Sequence, residues 1–220
     1  MQPNAPEVSI IIPVLNEEDY IKDCVESVVG SISNLTFEVL IIDGGSQDST
    51  IKILKDLKIT NGEIKVYDNP KQITPSALNI KIKNSKGKYI VRLDAHALYH
   101  DNYIEHSVNA LEVGSEDIAN VGGPILTKSK DKGVFAKAIS LCLSSVFGVG
   151  NSKFRTSFPE SPCYVETVPF GCFKKEIFEE IGLFNENEPR NEDLEFNKRI
   201  ITMIVQRLKD SQSEIKINKK

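Results

Sequence analysis

Three short stretches carry residue types and spacings that could do chemistry. In Arg92-Leu93-Asp94-Ala95-His96 a carboxylate and an imidazole stand one residue apart, directly after the apolar run Tyr89-Ile90-Val91. Both could face one divalent cation. Mg2+ or Mn2+ takes few protein ligands and completes its shell with phosphate and water oxygens, so two side chains would suffice to hold a diphosphate through metal. The other account is a turn begun by Asp94 and an ordinary loop histidine. The second stretch is Asp43-Gly44-Gly45-Ser46-Gln47-Asp48-Ser49-Thr50. Asp43 could accept a hydrogen bond from a nucleobase or ribose, with the glycines letting a nucleotide approach the backbone; equally, glycines and hydroxyls make a tight strand-to-helix turn. It has neither the spaced glycines of a dinucleotide fingerprint nor the Gly-Lys-Ser/Thr of a P-loop. The third stretch, Glu192-Asp193 after Arg190-Asn191, opens a predicted helix. Acids there oppose the positive helix end, or one of them is a general base that takes a proton from an acceptor hydroxyl.

These residues meet only if the intervening chain brings them together. Residues 8–12 read as a buried strand stopped by Pro13, and Tyr20, Ile21, Cys24, Val25, Val28 and Val29 fall on one face of a helix closed by Gly30. Residues 37–42 are a second strand, delivering Asp43 into its turn and then a helix of Ile51, Leu54 and Leu57. Asn61-Gly62 marks a turn before a strand at 64–67, and Thr74-Pro75 reads as N-cap and first residue of a helix through Leu78 and Ile82, ended by Gly87. The strand leading to Asp94 follows. Such a β-α-β-α-β-α-β order predicts a parallel sheet with right-handed crossovers. The carboxyl ends of its strands share one rim, which places Asn16, Asp43, Asp68 and Asp94 on the same edge and favours a site over isolated turns.

Beyond the rim, Asp101 reads as the cap of a helix carrying Ile104, Val108 and Leu111 and ending at Gly114. Residues 118–121 read as a strand, Gly122-Gly123-Pro124 as a turn, 132–147 as a helix, 164–168 as a strand, and 173–181 as a helix closed by Gly182. Asn191 reads as the cap of a last helix with Leu194, Ile201, Ile204, Val205 and Leu208, and the lysine-rich tail from Ser211 as frayed. With 40% hydrophobic and 26% charged residues the chain can build a sizeable core. No repeat, linker or boundary divides it, so residues 1–220 are expected to form a single domain. A net charge of -4, with both signs interspersed, argues against a nucleic-acid binder relying on a basic face. Four cysteines far apart give no zinc or redox spacing and point to a reduced intracellular chain. The N-terminus lacks a signal-peptide pattern, and the apolar run 8–14 is too short to span a bilayer. The mildly apolar segment 134–150 is a poor span; it could lie on a membrane surface, though an ordinary buried helix is the favoured account.

Taken in order, these motifs resemble family 2 glycosyltransferases with the GT-A fold. Val8-Ser9-Ile10-Ile11-Ile12-Pro13-Val14-Leu15-Asn16-Glu17-Glu18 is similar to the family's first strand and loop, and Glu38 to Thr50 to its second. Arg92-Leu93-Asp94-Ala95-His96 stands where the family carries its Asp-x-Asp metal motif. Val168-Pro169-Phe170-Gly171-Cys172-Phe173 and Arg190-Asn191-Glu192-Asp193 resemble its acceptor-side segment and Glu-Asp base motif. The resemblance covers roughly residues 8 to 200, and the subgroup it fits best is that of the succinoglycan-type exopolysaccharide glycosyltransferases. It implies an inverting transfer from a nucleotide-diphosphate sugar, a UDP-sugar first, to a hydroxyl of a polysaccharide or lipid-linked glycan. Asp193 would be the base with Glu192 beside it. Pro13, Asn16, Glu17, Asp43, Gly44, Asp68, Arg92 and Asp94 would line the donor nucleotide site, and Asp94 with His96 would bind Mg2+ or Mn2+. The expected location is the cytoplasm, peripheral at the inner face of the membrane.

The sequence departs from the family pattern at three points. Gly44 replaces the second acid of an Asp-Asp pair, which bears on nucleobase identity. His96 replaces the second metal carboxylate. The chain also ends soon after the base helix, as a minimal catalytic domain or a short copy with an incomplete acceptor site. Two other readings stay open at this point. A sugar-nucleotide nucleotidyltransferase is disfavoured by the loop Pro13-Val14-Leu15-Asn16-Glu17, which lacks the glycines, Arg and Lys such enzymes usually show. A truncated, non-catalytic relative that binds nucleotide-sugar is favoured by the short C-terminus.

Overall fold

The structure is a computed structural model that describes residues 5–60, 64–115, 117–128, 133–149, 153–156, 161–165 and 167–217. The first half alternates strand and helix as the sequence predicts: β1 (Val8–Val14), α1 (Ile21–Gly30), β2 (Phe37–Asp43), α2 (Thr50–Thr60), β3 (Ile64–Asp68), α3 (Thr74–Ile82) and β4 (Tyr89–Arg92). Then come α4 (Tyr103–Val113), β5 (Asn120–Val121), α5 (Val134–Leu143), α6 (Val146–Val149), α7 (Lys153–Thr156), β6 (Cys172–Lys174), α8 (Ile177–Glu180) and α9 (Glu192–Ile217). The strands form one mostly parallel sheet in the order β3-β2-β1-β4-β6-β5, flanked by helices. β1 pairs in parallel with β2 and β4, β2 in parallel with β3, and β6 runs antiparallel to both β4 and β5.

The central strands are almost uniformly apolar because both faces of the sheet are covered. Val8, Ile10 and Ile12 of β1 point into a core shared with Ile21, Cys24 and Val25 of α1, Leu54 of α2 and Ile104, Val108 and Leu111 of α4. Ile11, one step out of phase, enters the opposite core with Leu78 of α3 and Phe196 and Ile200 of α9. One polar pair is built into the sheet. Ser9 Oγ donates to Glu38 Oε1 at 2.8 Å and accepts from the Gly87 amide at 2.9 Å. A Cβ at Gly87 would lie 2.4 Å from the Ser9 nitrogen, so the chain can enter β4 this closely only through glycine.

Several expectations need correcting. Pro13 does not stop β1: it pairs with Ile42 and the strand runs on to Val14. The Val14 carbonyl accepts from Gly44 on the β2 side, whereas the Ile11 carbonyl accepts from Leu93 on the β4 side. By alternation the missing Pro13 N–H faces the β4 side, where pairing already ends at Ile11 and Arg92, and no ladder bond is lost. Ile73, not Thr74, is the N-cap of α3. Asn102, left-handed at φ 62°, stands at the cap of α4 in place of Asp101. Residue 173 lies in a strand: Val91 pairs with Cys172 and Ile90 with Phe173, leaving only α8 helical in the 173–181 stretch. Phe173 and Phe178 mimic helical spacing because both reach the same aromatic cluster, ring centroids 5.4 Å apart. The described residues of 164–168 form no strand; the Val168 carbonyl instead accepts from the side-chain amide of Asn120 at 3.4 Å. Of the 118–121 strand only Asn120–Val121 forms, and of the 132–147 helix α5 covers Val134–Leu143, followed by the short α6. Gly182 adopts φ +83° after α8, as a helix terminator should. The backbone of α9 stays helical through Ile217, past the expected fraying point. Asn61 and Gly62 lie outside the described residues.

Candidate active site

The carboxyl ends of the parallel strands frame an open cleft of about 320 Å³. Pro13, Glu17, Gly44, Arg92, Asp94, His96 and Glu192 all line it, so residues from both ends of the chain meet there. The other expected residues stand back from its walls. Asp43 is buried and spends its carboxylate on the turn, accepting from the Gly45 amide at 2.9 Å and from Ser46 Oγ at 2.6 Å. Asn16, left-handed at φ 56°, fastens the β1 loop to that turn: its Oδ1 accepts from the Gln47 amide at 2.8 Å. Asp68 is exposed at the end of β3, and the wall beside it is made by Asn69. Asn69 Nδ2 donates to the Ile73 carbonyl at 3.0 Å, while its Oδ1 is buried with no hydrogen-bond partner.

Arg92 organises the floor. It is 5% exposed and lies between three carboxylates. Nη2 donates to Glu192 Oε1 at 3.0 Å and lies 3.3 Å from Asp94 Oδ1, while Nη1 is 3.2 Å from Asp193 Oδ2. The contact with Asp193 is an ion pair without hydrogen-bond alignment, and among the described residues neither Nε nor Nη1, both buried, has a hydrogen-bond partner. The guanidinium also stacks over the Phe170 ring, 5.0 Å from its centroid. Burial alone would lower the affinity of Arg92 for its proton, but Asp193, Asp94 and Glu192 reverse the sign and hold the cation. Asp193 is pushed up to about 6: burial is the main cause, Glu192 and Asp94 add to it, and Arg92 pulls the other way. A carboxyl in that range is poised to exchange a proton near neutrality.

Asp94 is held by its backbone. Tyr99 Oη accepts from the Asp94 amide at 2.8 Å and donates to the Asp94 carbonyl at 3.1 Å. The second carboxylate oxygen, Oδ2, lies 3.8 Å from His96 Nε2, and His96 Nδ1 is 3.1 Å from Glu17 Oε1. Asn69 and Tyr99 escaped the sequence reading, and Phe170 entered it only as part of the acceptor-side segment, without its contact to Arg92. The Asn69-Pro70 pair after an apolar run was a usable signal for the first; nothing in the sequence singles out Tyr99.

Residues 9–182 match the sequence profile of Glycosyl transferase family 2. The chain belongs to glycosyl transferase family 2. Among curated relatives of this family 2 chain, the succinoglycan biosynthesis protein ExoA of Rhizobium meliloti (strain 1021) is 31% identical over 87% of the chain and 57% of its own length. A dolichyl N-acetyl-alpha-D-glucosaminyl phosphate 3-beta-D-2,3-diacetamido-2,3-dideoxy-beta-D-glucuronosyltransferase of Methanococcus voltae is 29% identical over 88% of the chain and 61% of its own. The chain thus spans about three fifths of either relative. Among solved structures, the mannosyltransferase PcManGT of Pyrobaculum calidifontis, in complex with GDP-Man and Mn2+, superposes with a TM-score of 0.64 at 17% identity, covering 90% of this chain and 53% of that one. S. aureus TarS 1-349 in complex with UDP-GlcNAc gives 0.57 at 16% identity, covering 88% and 53%. The fold is GT-A.

The family implies a divalent cation, and the residues present fit one. Among the described residues no three His, Cys, Asp or Glu side chains make a closed cage. Asp94 Oδ2 and His96 Nε2 instead form an open pair at the cleft, with His96 58% exposed. An open oxygen-and-nitrogen pair suits a hard cation that draws the rest of its shell from phosphate and water.

Proposed function

We propose that this family 2 chain transfers a sugar, with inversion, from a nucleotide-diphosphate sugar to a hydroxyl of a polysaccharide or lipid-linked glycan. The carrying observation is the Arg92 cluster, in which the acid after β4 and the acids opening α9, a hundred residues apart, meet on one buried guanidinium. Asp193 takes the proton of the acceptor hydroxyl as its oxygen attacks the anomeric carbon. The bond from that carbon to the diphosphate oxygen breaks, and its electron pair leaves with the nucleoside diphosphate. Asp94 and His96 would hold a divalent cation, which when bound would supply positive charge to offset that of the departing diphosphate. Arg92 holds Glu192 and Asp193 in place and keeps a positive charge beneath the cleft. Asn69 lines the donor side of the cleft, and Gly44 leaves the adjoining wall without a side chain. A UDP-sugar is the first donor to test, since TarS is described with UDP-GlcNAc and PcManGT with GDP-Man. Among the described residues no helix is long and apolar enough to cross a membrane.

The test is nucleoside diphosphate release from a panel of nucleotide-sugars with Mn2+ and lipid extracts as acceptor. Asp193→Asn is expected to cut turnover by about 10²–10⁴-fold with nucleotide binding retained; equal turnover would remove Asp193 as the base. Pyrophosphate release from a nucleoside triphosphate and sugar phosphate would point instead to nucleotidyl transfer, and binding without turnover to a non-catalytic relative.

A further inference from the structure

Helix α5 is amphipathic the wrong way round for a protein in water. At about 3.6 residues per turn, Leu141, Val134, Ala138, Cys142, Phe135, Ile139 and Leu143 cover roughly half of its circumference, and all are exposed, Phe135 to 88%. The side turned to the protein carries the small residues Ala136 and Ser140, with Ser140 Oγ donating to the Thr127 carbonyl at 2.9 Å. No residue of α5 is buried. A surface helix normally sends its large apolar residues inward, so the sequence expectation of an ordinary buried helix fails here. Leu126, Phe147 and Tyr164 extend the exposed apolar surface along the same segment.

The charge of that segment identifies what the surface meets. Between residues 125 and 156 stand five lysines and one arginine against a single aspartate, in a chain whose net charge is -4. Exposed Lys137 lies at the border of the apolar arc, and exposed Lys128 precedes the helix. Large apolar side chains edged by lysines, on a helix far too short to span, are the pattern of a segment lying in the plane of an anionic bilayer surface. An apolar face alone would suit a protein partner equally; the basic excess beside it is what favours an anionic bilayer.

We propose that α5 and the basic residues around it seat this protein on an anionic lipid bilayer. The proposal goes beyond the proposed transfer, and it holds or fails without reference to it. The segment leaves the sheet after β5 and returns at Phe170-Gly171, where the Gly171 carbonyl accepts from the Arg92 amide at 3.0 Å. The surface that meets lipid and the floor of the cleft are therefore parts of one continuous piece of chain.

Flotation of the full chain with vesicles tests this, using phosphatidylcholine alone and with roughly one-third phosphatidylglycerol. Binding is expected only to the anionic vesicles, and to weaken as salt is raised. The double variant Phe135→Glu/Ile139→Glu should lose binding while keeping its circular dichroism melt. Because apolar-to-charged changes can disturb folding, Lys128→Glu/Lys137→Glu provides a second readout, with affinity for anionic vesicles lowered by about fivefold or more per charge reversed. No binding of the wild-type chain to anionic vesicles would overturn the proposal. So would wild-type binding that neither variant weakens, or a dimer in light scattering that Phe135→Glu/Ile139→Glu dissolves while vesicles are ignored, since the face would then belong to a second copy.

Discussion

At the scale of single residues, Arg92 ties the chemistry to the sequence least obviously. Asp94, His96, Glu192 and Asp193 announce themselves by type and spacing, and the fold brings them to one cleft or to its floor. The role of Arg92 was not legible. A lone arginine inside an apolar strand gives no hint of three acidic partners, two of which lie a hundred residues away. Asn69 likewise shows its meaning only as a buried, unpartnered acceptor in the cleft wall. The consequence for catalysis is measurable. With Asp193 as the proposed base, pushed up to about 6, the acidic limb of the pH–kcat/KM profile should lie near that value, above the ordinary aspartate range. Arg92 opposes that rise, so Arg92→Met should move the limb to higher pH and lower turnover. A limb unmoved in the variant would mean that Arg92 does not act on the base.

At the scale of elements, the first four strands and their helices could be read because each is a run of five to seven mostly apolar residues, or ends in a turn of evident chemistry. The stretch between α4 and α9 resisted the same reading. Its strands are two and three residues long, too short for a period to register, and its backbone polar groups are met in part by the side chains of Asn120 and Asn197. The helix that bears the base is tied to the sheet by aromatic rings. Phe196, one turn past Asp193, is fully buried; it stacks on Phe184 with centroids 4.6 Å apart and meets Phe173 of β6 edge-on at 5.5 Å. Phe196→Ala should therefore destabilise the fold by about 3–5 kcal/mol in denaturant unfolding, and it should slow turnover in the molecules that remain folded by loosening Asp193. A loss under about 1 kcal/mol would show that the rings are not what anchors α9.

At the scale of the whole molecule, the charged groups buried beneath the cleft give stability a pH dependence of definite sign. Asp193 holds its proton to a higher pH in the folded chain than in the unfolded one, so its burial costs stability at neutral pH, and that cost begins to fall as pH drops below about 6 and is gone below the ordinary aspartate value of 3.8. Glu38 acts oppositely. Burial pushes its carboxyl up, but bonds from Lys65, Ser9 and the Lys86 amide outweigh burial and hold it below its usual range, so its contribution is lost only at lower pH. Lowering the pH from roughly 7.5 to 5 should raise the Tm of the wild-type chain, and do so less in Asp193→Asn; equal shifts in thermal melts would contradict a strained Asp193. One feature joins all three scales. The segment that carries α5 re-enters the sheet with Phe170 stacked on the Arg92 guanidinium and Gly171 bonded to the Arg92 backbone. That contact is where a load on the outer segment would reach the carboxylates around Arg92, as along a lever. Turnover at saturating donor, measured with and without anionic vesicles, reads that linkage directly: it should change on docking, and an unchanged rate would show the lever to be disengaged.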